Sequence, residues 1–209
     1  MFIAELSWYK KLSRLRSLSL AKKVGNYVKN NTLLLDFGCG NMFTAKELVS
    51  LNPTLKIVGL DIVADQNLNL SNNNNQLSFV QSGSQILPFE DNYFDHVLAL
   101  ACLHHTEYPE RYVEELKRVI KQNGTIIIAE EMYINQLDKL YISGSDFILN
   151  KLKEDIPVPL NFRSNKHYEQ VFKDLGLQVE HKSSLRLFPN FMHHYIYVLS
   201  KNCSFSAIL

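Results

Sequence analysis

The sequence has little of several features that would place a protein in a specialised class. Its three cysteines, Cys39, Cys102 and Cys203, are scattered and odd in number, which argues against a zinc site or a disulfide framework and indicates a reducing compartment. No apolar run approaches the roughly 20 residues of a membrane span, and no signal-peptide pattern opens the chain. We therefore expect a cytoplasmic protein without a membrane segment.

The net charge of the 209 residues is only +1, so the chain as a whole does not resemble a polyanion-binding protein. The charges are uneven, however, because residues 1–35 carry seven basic residues and one acid, whereas residues 36–209 carry 15 basic and 20 acidic residues. The basic segment is interpreted either as the solvated face of helices or as an electropositive lid that draws in an anionic acceptor or a carrier protein. An apolar fraction of 46% predicts one well-cored domain over residues 1–209.

The clearest local pattern is Leu-Leu-Leu-Asp-Phe-Gly-Cys-Gly-Asn over residues 33–41. Three leucines followed by an acid and a glycine predict a buried strand that stops abruptly, and Gly38 and Gly40 allow a sharp turn close to a ligand. A second apolar strand ends at Asp61, 21 residues after Gly40, where a carboxylate can accept both hydroxyls of a ribose. This pattern is typical of the nucleotide-binding corner of a doubly wound α/β fold.

Apolar strands and amphipathic helices alternate along the remainder of the chain, which predicts a parallel sheet with right-handed crossovers. Asn123-Gly124 is expected to end a helix that begins near Tyr108. Residues 134–163 interrupt the alternation and are interpreted either as a lid over the ligand-binding edge or as a packing element. The further expected elements are helices over 2–30, 41–50, 108–121, 136–152 and 166–175, a helix or loop over 67–76, and strands over 77–81, 94–100, 125–129, 177–182 and 194–200.

Five short motifs follow one another in the sequence: Asp36–Gly40, Gly59–Asp61, Leu87–Asp95, Leu103–His105 and Asn123–Glu130. In this order they resemble the motifs of S-adenosylmethionine-dependent methyltransferases of the Rossmann-like class (class I), over roughly residues 30–135. The resemblance implies a doubly wound, mostly parallel seven-stranded α/β sheet with helices on both faces and an edge that contains antiparallel pairing. With it we expect a small helical cap, made of an N-terminal segment of about residues 1–30 and a lid insertion of about residues 134–165.

The resemblance implies S-adenosylmethionine as the cofactor, bound outside the carboxyl ends of the strands. Asp61 would accept the ribose hydroxyls, Ile62 would face the adenine, and groups near Ser84 and Gln85 would read the adenine edge. Met42 stands where the glycine turn often has a third glycine, which argues against a dinucleotide because a pyrophosphate requires close approach of the helix. The predicted cofactor-binding residues are Asp36, Gly38, Gly40, Asp61, Ile62, Ser84, Gln85 and Ala101.

Two adjacent histidines, His104 and His105, are expected at the same edge of the sheet as Glu130. On an extended segment the two rings point in opposite directions, which makes a poor two-ligand metal site, so no metal is expected. An imidazole titrates near neutrality and can take a proton from a hydroxyl or ammonium group, although a structural role is the favoured interpretation for one of the two rings. The candidate catalytic residues are His104, His105 and Glu130, and the candidate acceptor-binding residues are Trp8, Tyr9, Tyr133 and Phe162.

The family resemblance and the aromatic residues expected around the site predict methyl transfer to an oxygen or nitrogen of a small, partly apolar molecule. The methyl donor is already activated, so the protein is expected mainly to align the reactants and to exclude water. Two alternatives stay open. One is a methyltransferase that acts on RNA or protein through the basic N-terminal face, with nucleic acid the less favoured partner, and the other is a non-catalytic partner that keeps the fold. The sequence specifies neither the acceptor nor the oligomeric state.

Overall fold

The structure is a computed structural model that describes residues 7–64, 75–151, 159–187 and 192–201, and the side chains within them except at 7–13, 16, 145–151, 185–187 and 192–193. The predictions for the side chains of Trp8 and Tyr9, for most of segment 67–76 and for Cys203 therefore lie outside the described residues. Within the described part of the chain, no helix is both long enough and apolar enough to cross a membrane.

The described chain contains helices, strands and one short 3-10 turn at Leu103–His105. The helices are α1 (Ser7–Gly25), α2 (Phe43–Leu51), α3 (Pro109–Val119), α4 (Gln136–Lys151) and α5 (Asn165–Asp174). The strands are β1 (Leu33–Phe37), β2 (Lys56–Asp61), β3 (Leu77–Gln81), β4 (Phe94–Leu100), β5 (Ile120–Glu131), β6 (Leu177–Leu187) and β7 (Met192–Lys201). The predicted strands up to β5 and the helices after β1 and β4 are confirmed, whereas most of the connection between β2 and β3 lies outside the described residues.

The seven strands form one sheet in the order β3-β2-β1-β4-β5-β7-β6. Strands β1 to β5 pair in parallel, whereas β7 runs antiparallel to both β5 and β6. The predicted doubly wound, mostly parallel seven-stranded sheet with an antiparallel edge is thus confirmed. The carboxyl ends of β1, β2, β4 and β5 meet at one edge of this sheet, which we call the rim.

Both faces of the sheet are buried, as the continuous apolar run of β1 predicts. Leu35 and Phe37 point into a cluster that includes residues of α3 and α5. Leu34, on the opposite face, packs with residues of α1 and α2 such as Val24 and Leu48. The two layers of helices fix the sheet from both sides and leave the rim as the edge at which the strands end in loops.

The boundary between α3 and β5 differs from the prediction. The helix ends at Val119 and the strand begins at Ile120, so Asn123-Gly124 lies inside β5 instead of ending a helix. The pairing with β4 jumps from Phe94↔Ile120 to His96↔Thr125, and a Cβ at Gly124 would lie 2.5 Å from Cγ1 of Ile120. Glycine is therefore needed here for close packing within an irregular strand, and sheet pairing overrides the local turn signal.

The last two strands are longer than the sequence pattern predicts. β6 and β7 pair from Leu177↔Lys201 to Leu187↔Met192, beyond the predicted ranges 177–182 and 194–200. The extension of β6 includes Ser184, which is exposed, so an apolar pattern does not reveal it. Backbone pairing with the neighbouring strand accounts for the additional length.

Candidate active site

The glycine turn after β1 has the geometry that its sequence predicts. Gly38 and Gly40 have φ angles of +68° and +50°, in the left-handed region that glycine favours. A Cβ at Gly38 would overlap the side chain of Cys102, whose Sγ would lie only 2.9 Å from it. A Cβ at Gly40 would meet nothing within 4 Å. Gly38 therefore allows close packing with the β4 loop, and Gly40 borders open space at the rim.

Met42 stands where such glycine turns often have a third glycine, and it has a φ angle of +58°. Its side chain is fully buried, and a Cβ at Gly59 would lie 2.7 Å from its Cε and 2.9 Å from its Sδ. The thioether thus occupies the space that the absent side chain of Gly59 leaves on β2. The turn keeps its left-handed conformation at this point because the buried side chain compensates for the steric cost.

Asp61, at the end of β2, is linked directly to the glycine turn. Its Oδ2 accepts a hydrogen bond from the backbone N–H of Gly40 at 2.8 Å, and its Oδ1 accepts one from the N–H of Val63 at 3.3 Å. A carboxylate has about four acceptor sites, so capacity remains for ribose hydroxyls. The next residue, Ile62, is 58% exposed and offers an apolar surface at the position predicted for adenine.

The rim carries three acidic residues, Asp36, Asp61 and Glu130, and each of them interacts electrostatically with the thiol of Cys102. Burial, and next the charge of Asp61, raises the pKa of Asp36 to about 7. Burial also raises the pKa of the Cys102 thiol, with further contributions from the charges of Glu130, Asp36 and Asp61. The Cys102 thiol donates to the carbonyl oxygen of Phe37 at 3.2 Å. The thiol is thus protonated and inert, and the concentration of negative charge favours a cationic ligand.

Glu130, at the end of β5, is fully buried and holds the turn after β4. Its Oε1 accepts hydrogen bonds from the backbone N–H groups of Cys102 and Leu103, both at 2.7 Å. Its Oε2 lies 2.6 Å from Nδ1 of His104. An ionised carboxylate only accepts hydrogen bonds, so Nδ1 of His104 carries the proton and Nε2 is the acceptor in the neutral ring.

The expectation that His104 and His105 lie on an extended segment is wrong. They lie on the 3-10 turn, and their ring centroids are 4.0 Å apart. His104 is only 3% exposed and stacks on Phe162 at 4.5 Å, whereas His105 is half-buried. Among the described residues, no group of three or more His, Cys, Asp or Glu side chains could hold a metal ion.

The segment after α4 is fastened onto this histidine turn by Asn161. Its backbone N–H donates to the carbonyl oxygen of His104 at 2.9 Å, and its Nδ2 donates to that of Thr106 at 2.8 Å. Arg163, two residues further on, pairs with Glu110 of α3 at 2.7 Å. Sequence reasoning missed Asn161, because an asparagine in a loop carries no signal for partners 55 residues away.

The remaining predicted site residues lie around the same edge. Ala101 has a φ angle of +51° directly after β4, and a non-glycine residue in this region is strained, as is common at functional sites. Tyr133 is half-buried beneath Nζ of Lys139, which lies 5.4 Å from the ring centroid. A depression of about 300 Å³ is lined by Ser84, Gln85, Ile86, Arg111, Glu114 and Glu115.

A second buried histidine–glutamate pair was also missed from the sequence. Nε2 of His194 lies 2.9 Å from Oε1 of Glu131, and the two residues face each other across the β5–β7 pairing. Because successive strand residues point to opposite faces, Glu131 and Glu130 hold their histidines on opposite sides of β5. Only the antiparallel register, which the sequence does not specify, brings His194 to this position.

Comparison with known proteins agrees with this arrangement. Residues 35–128 match the family model described as a methyltransferase domain. The ubiquinone/menaquinone biosynthesis C-methyltransferase UbiE of Vibrio cholerae is 30% identical over 107 residues, which are 50% of this chain and 39% of the relative. The mitochondrial ubiquinone biosynthesis O-methyltransferase of Dictyostelium discoideum is 27% identical over 162 residues, 69% of this chain and 46% of the relative. The chain thus spans less than half the length of these two relatives.

Solved structures show the same fold. A SAM-dependent methyltransferase from Aquifex aeolicus superposes with a TM-score of 0.65 at 19% identity, covering 90% of this chain and 92% of that one. The 1,6-didemethyltoxoflavin-N1-methyltransferase of Burkholderia thailandensis, solved with S-adenosylhomocysteine, gives a TM-score of 0.67 at 13% identity, covering 94% and 81%. Residues 35–128 thus match a methyltransferase domain, and the strand order and the glycine turn give the chain the fold of the class I, Rossmann-like methyltransferases.

Proposed function

We propose that this chain is an S-adenosylmethionine-dependent methyltransferase that transfers a methyl group to an oxygen or nitrogen of a small molecule. The observation that carries the proposal is the hydrogen bond between the Gly40 amide and Asp61, which joins the glycine turn to the predicted ribose-binding carboxylate. The acidic rim and the paired His104 and Glu130 lie at the same edge. In this proposal residues 1–209 form a single methyltransferase domain.

The residues of the rim fit this cofactor. The open space at Gly40 accommodates the methionine tail, Asp61 has acceptor capacity for the ribose, and Ile62 and Val63 offer an exposed apolar surface for adenine. Ser84 and Gln85 are exposed in the loop after β3, as adenine recognition requires. When bound, the cofactor supplies a methyl group on a positively charged sulfur, and the charge of Asp36 complements that cation.

His105 is the better placed of the two histidines for proton transfer, because it is half-buried whereas His104 is 3% exposed. In the proposed mechanism His105 accepts the proton of a hydroxyl acceptor as its oxygen attacks the methyl, or first removes a proton from an ammonium acceptor so that the neutral nitrogen can attack. His104 positions the ring of His105. Glu130 fixes the tautomer of His104, and Phe162 stacks on the face of the His104 ring. Exclusion of water and alignment of the reacting atoms supply the rest of the rate acceleration.

The acceptor is proposed to bind between α1 and the segment at 134–165, which acts as a lid. Tyr133 and Phe162 belong to this lid, and Trp8 and Tyr9, whose side chains lie outside the described part of the chain, stay predicted acceptor-binding residues. Tyr133 forms a bridge with Ser164, so the beginning and the end of the lid are joined beside the histidine turn. Phe162 is 1% exposed beneath His104, so its proposed contribution is support of the wall.

The acceptor class is tested by methyl transfer itself. Purified protein is incubated with S-adenosylmethionine labelled in the methyl group and with phenols, catechols and amines. Label is expected in a small molecule and not in added RNA or protein. Transfer to RNA that weakens steeply as salt rises would support the macromolecular alternative, which the exposed Lys22 and Lys23 of α1 favour. Failure to bind S-adenosylhomocysteine would leave the non-catalytic alternative.

A further inference from the structure

The depression beside Ser84 and Gln85 lies between two elements of the fold. One wall is the loop after β3, over residues 82–87, and the other wall is the outer side of α3. Its volume of about 300 Å³ is at the lower end of the range for small-molecule sites. The sequence pattern predicts no role for the α3 side of this depression.

The loop that forms the first wall is tied to the end of β2. The backbone N–H of Ser82 donates to the carbonyl oxygen of Asp61 at 3.0 Å, and Nε2 of Gln81 donates to that of Ile62 at 3.1 Å. A Cβ at Gly83 would lie 3.8 Å from Cγ2 of Ile62. The wall of the depression therefore begins beside the surfaces proposed for the ribose and for the adenine.

The other end of the loop is fixed to α3 by Glu115 and Arg118. Oε2 of Glu115 accepts from the N–H of Leu87 at 2.8 Å, and Nη2 of Arg118 donates to the carbonyl oxygen of Leu87 at 3.0 Å. The same guanidinium donates to both carboxylate oxygens of Glu115, at 2.8 Å and 2.7 Å. Glu115 thus holds the loop against the helix, and the depression is formed before any ligand binds.

Arg111 and Glu114 complete the depression, and both side chains are exposed. They are three positions apart on α3, so they lie next to each other on one face of the helix. An arginine only donates hydrogen bonds, and an ionised glutamate only accepts them. The depression therefore presents one fixed donor and one fixed acceptor, together with the amide of Gln85, which can do both.

The outer edge of adenine carries the complementary pair of functions. Its amino group N6 donates and its ring nitrogen N1 accepts, whereas hypoxanthine has an accepting oxygen at position 6 and a donating N1–H. A carboxylate is a strong acceptor for an amino group, and unlike an amide it cannot turn round to donate. Among the residues that line the depression, the charges of Arg111 and Glu114 cancel, and Glu115 is neutralised by Arg118. This balance suits a neutral polar ring.

We propose that Glu114 accepts a hydrogen bond from the amino group of the cofactor's adenine and makes the site selective for adenine over hypoxanthine, while Arg111 donates to N1. This inference rests on the proposed methyl transfer and adds to it the residues that select the base of the cofactor. With the ribose at Asp61 and the flat face of the base on Ile62, the edge of the base faces the depression. Glu114 and Arg111 then act on cofactor affinity and take no part in proton transfer.

Calorimetric titration with S-adenosylhomocysteine and with its deaminated analogue S-inosylhomocysteine tests this inference. The original protein is expected to bind the adenine compound about tenfold more tightly or better, because hypoxanthine turns its oxygen toward the carboxylate of Glu114. In Glu114→Gln, whose amide can donate as well as accept, this preference is expected to fall to about threefold. Glutamine is as good a helix former as glutamate, so α3 is expected to stay intact.

The matched control is Glu90→Gln. Glu90 is exposed and does not line the depression, so this variant loses the same charge and is expected to keep the preference for adenine.

The outcomes separate the inference from the proposed function. Absence of S-adenosylhomocysteine binding by the original protein would overturn both. Normal binding with a preference that is as large in Glu114→Gln as in the original protein would overturn the inference alone. An equal loss of affinity for both compounds in Glu114→Gln would also overturn it, because the carboxylate then acts without reading the base. The same is true if Glu90→Gln lowers the preference as much as Glu114→Gln does.

Discussion

The backbone amide of Gly40 donates to Oδ2 of Asp61 at 2.8 Å, across 21 residues of sequence. This bond ties the left-handed turn after β1 to the carboxylate at the end of β2, so the proposed sites for the methionine tail and for the ribose form one unit. A change at either residue is therefore expected to affect the other. The rim is in this sense preorganised before any ligand binds.

Met42 and Gly59 are expected to be energetically coupled. A Cβ at Gly59 would lie within 3 Å of Sδ and Cε of Met42, so Gly59→Ala should destabilise the fold by about 1–3 kcal/mol through overpacking. Met42→Ala removes two of the three atoms that clash, since Sγ of Cys39 would still lie 2.8 Å from the new Cβ, and it leaves a cavity beside β2. In urea unfolding, the double variant Met42→Ala/Gly59→Ala is expected to be more stable than the sum of the two single changes predicts. Additive effects would show that the two sites do not share this space.

Asp36 is expected to link cofactor binding to pH. Its pKa of about 7, raised first by burial and then by Asp61, means that protonation removes negative charge from the rim below neutrality. S-adenosylmethionine should bind about fivefold to tenfold more tightly at pH 7.5 than at pH 6, because its sulfonium favours the ionised carboxylate. Asp36→Asn should flatten this dependence in calorimetric titrations. An equally steep profile in Asp36→Asn would show that Asp36 is not the group responsible.

The raised pKa of Asp36 also makes the stability of the fold depend on pH, in the direction opposite to that expected for cofactor binding. Because its folded-state pKa of about 7 exceeds the ordinary value of 3.8, the folded state binds more protons between these pH values. Stability contributed by the protonated form is present below about pH 4 and is lost as the pH rises to about 7, by an amount on the order of 2–4 kcal/mol. Asp36→Asn should therefore be more stable than the original protein at pH 8 in thermal unfolding, and this advantage should shrink toward pH 4. A difference in stability between the two proteins that is the same at pH 4 and pH 8 would contradict the proposed link between the pKa of Asp36 and folding.

Glu130 and His104 are expected to act on turnover and not on cofactor affinity. Glu130→Gln keeps the size of the side chain, but the neutral amide no longer holds the Nδ1 proton of His104 through a negative charge. The tautomer of His104 and the position of the neighbouring His105 are then less well fixed. We expect kcat to fall at least tenfold, with S-adenosylhomocysteine affinity within about threefold. A pH–rate profile whose acidic limb moves in Glu130→Gln distinguishes this role from simple loss of stability. His194, paired with Glu131 on the other face, provides the control variant His194→Gln.

The parts of the fold that could be predicted from sequence are those that short patterns determine. The buried strand β1, the turn at Gly38 and Gly40 and the acid at Asp61 depend on neighbouring residues, and the structure places all of them as predicted. The start of β5 at Ile120 was missed because pairing with Phe94 overrides the local signal at Asn123-Gly124. Local sequence gives no information on the partner strand.

The support of the candidate site could not be predicted for the same physical reason. Asn161 reaches His104 and Thr106, and His194 reaches Glu131, only because the folded chain brings together residues more than 50 positions apart. The position of His104 depends on such contacts. The sequence indicates which residue types can perform the chemistry, whereas the contacts that orient them follow from the tertiary fold.

Titration of S-adenosylhomocysteine into the original protein, Asp61→Ala and the matched control Asp174→Ala tests the central claim most directly. Asp174 lies at the end of α5 and accepts a hydrogen bond from Gln170, away from the rim. We expect binding to the original protein and to the control with equal affinity, and a loss of about 1–3 kcal/mol in Asp61→Ala, because the ribose and the Gly40 amide lose their shared acceptor. Equal affinity in all three proteins, or no binding to the original protein, would contradict the proposed site.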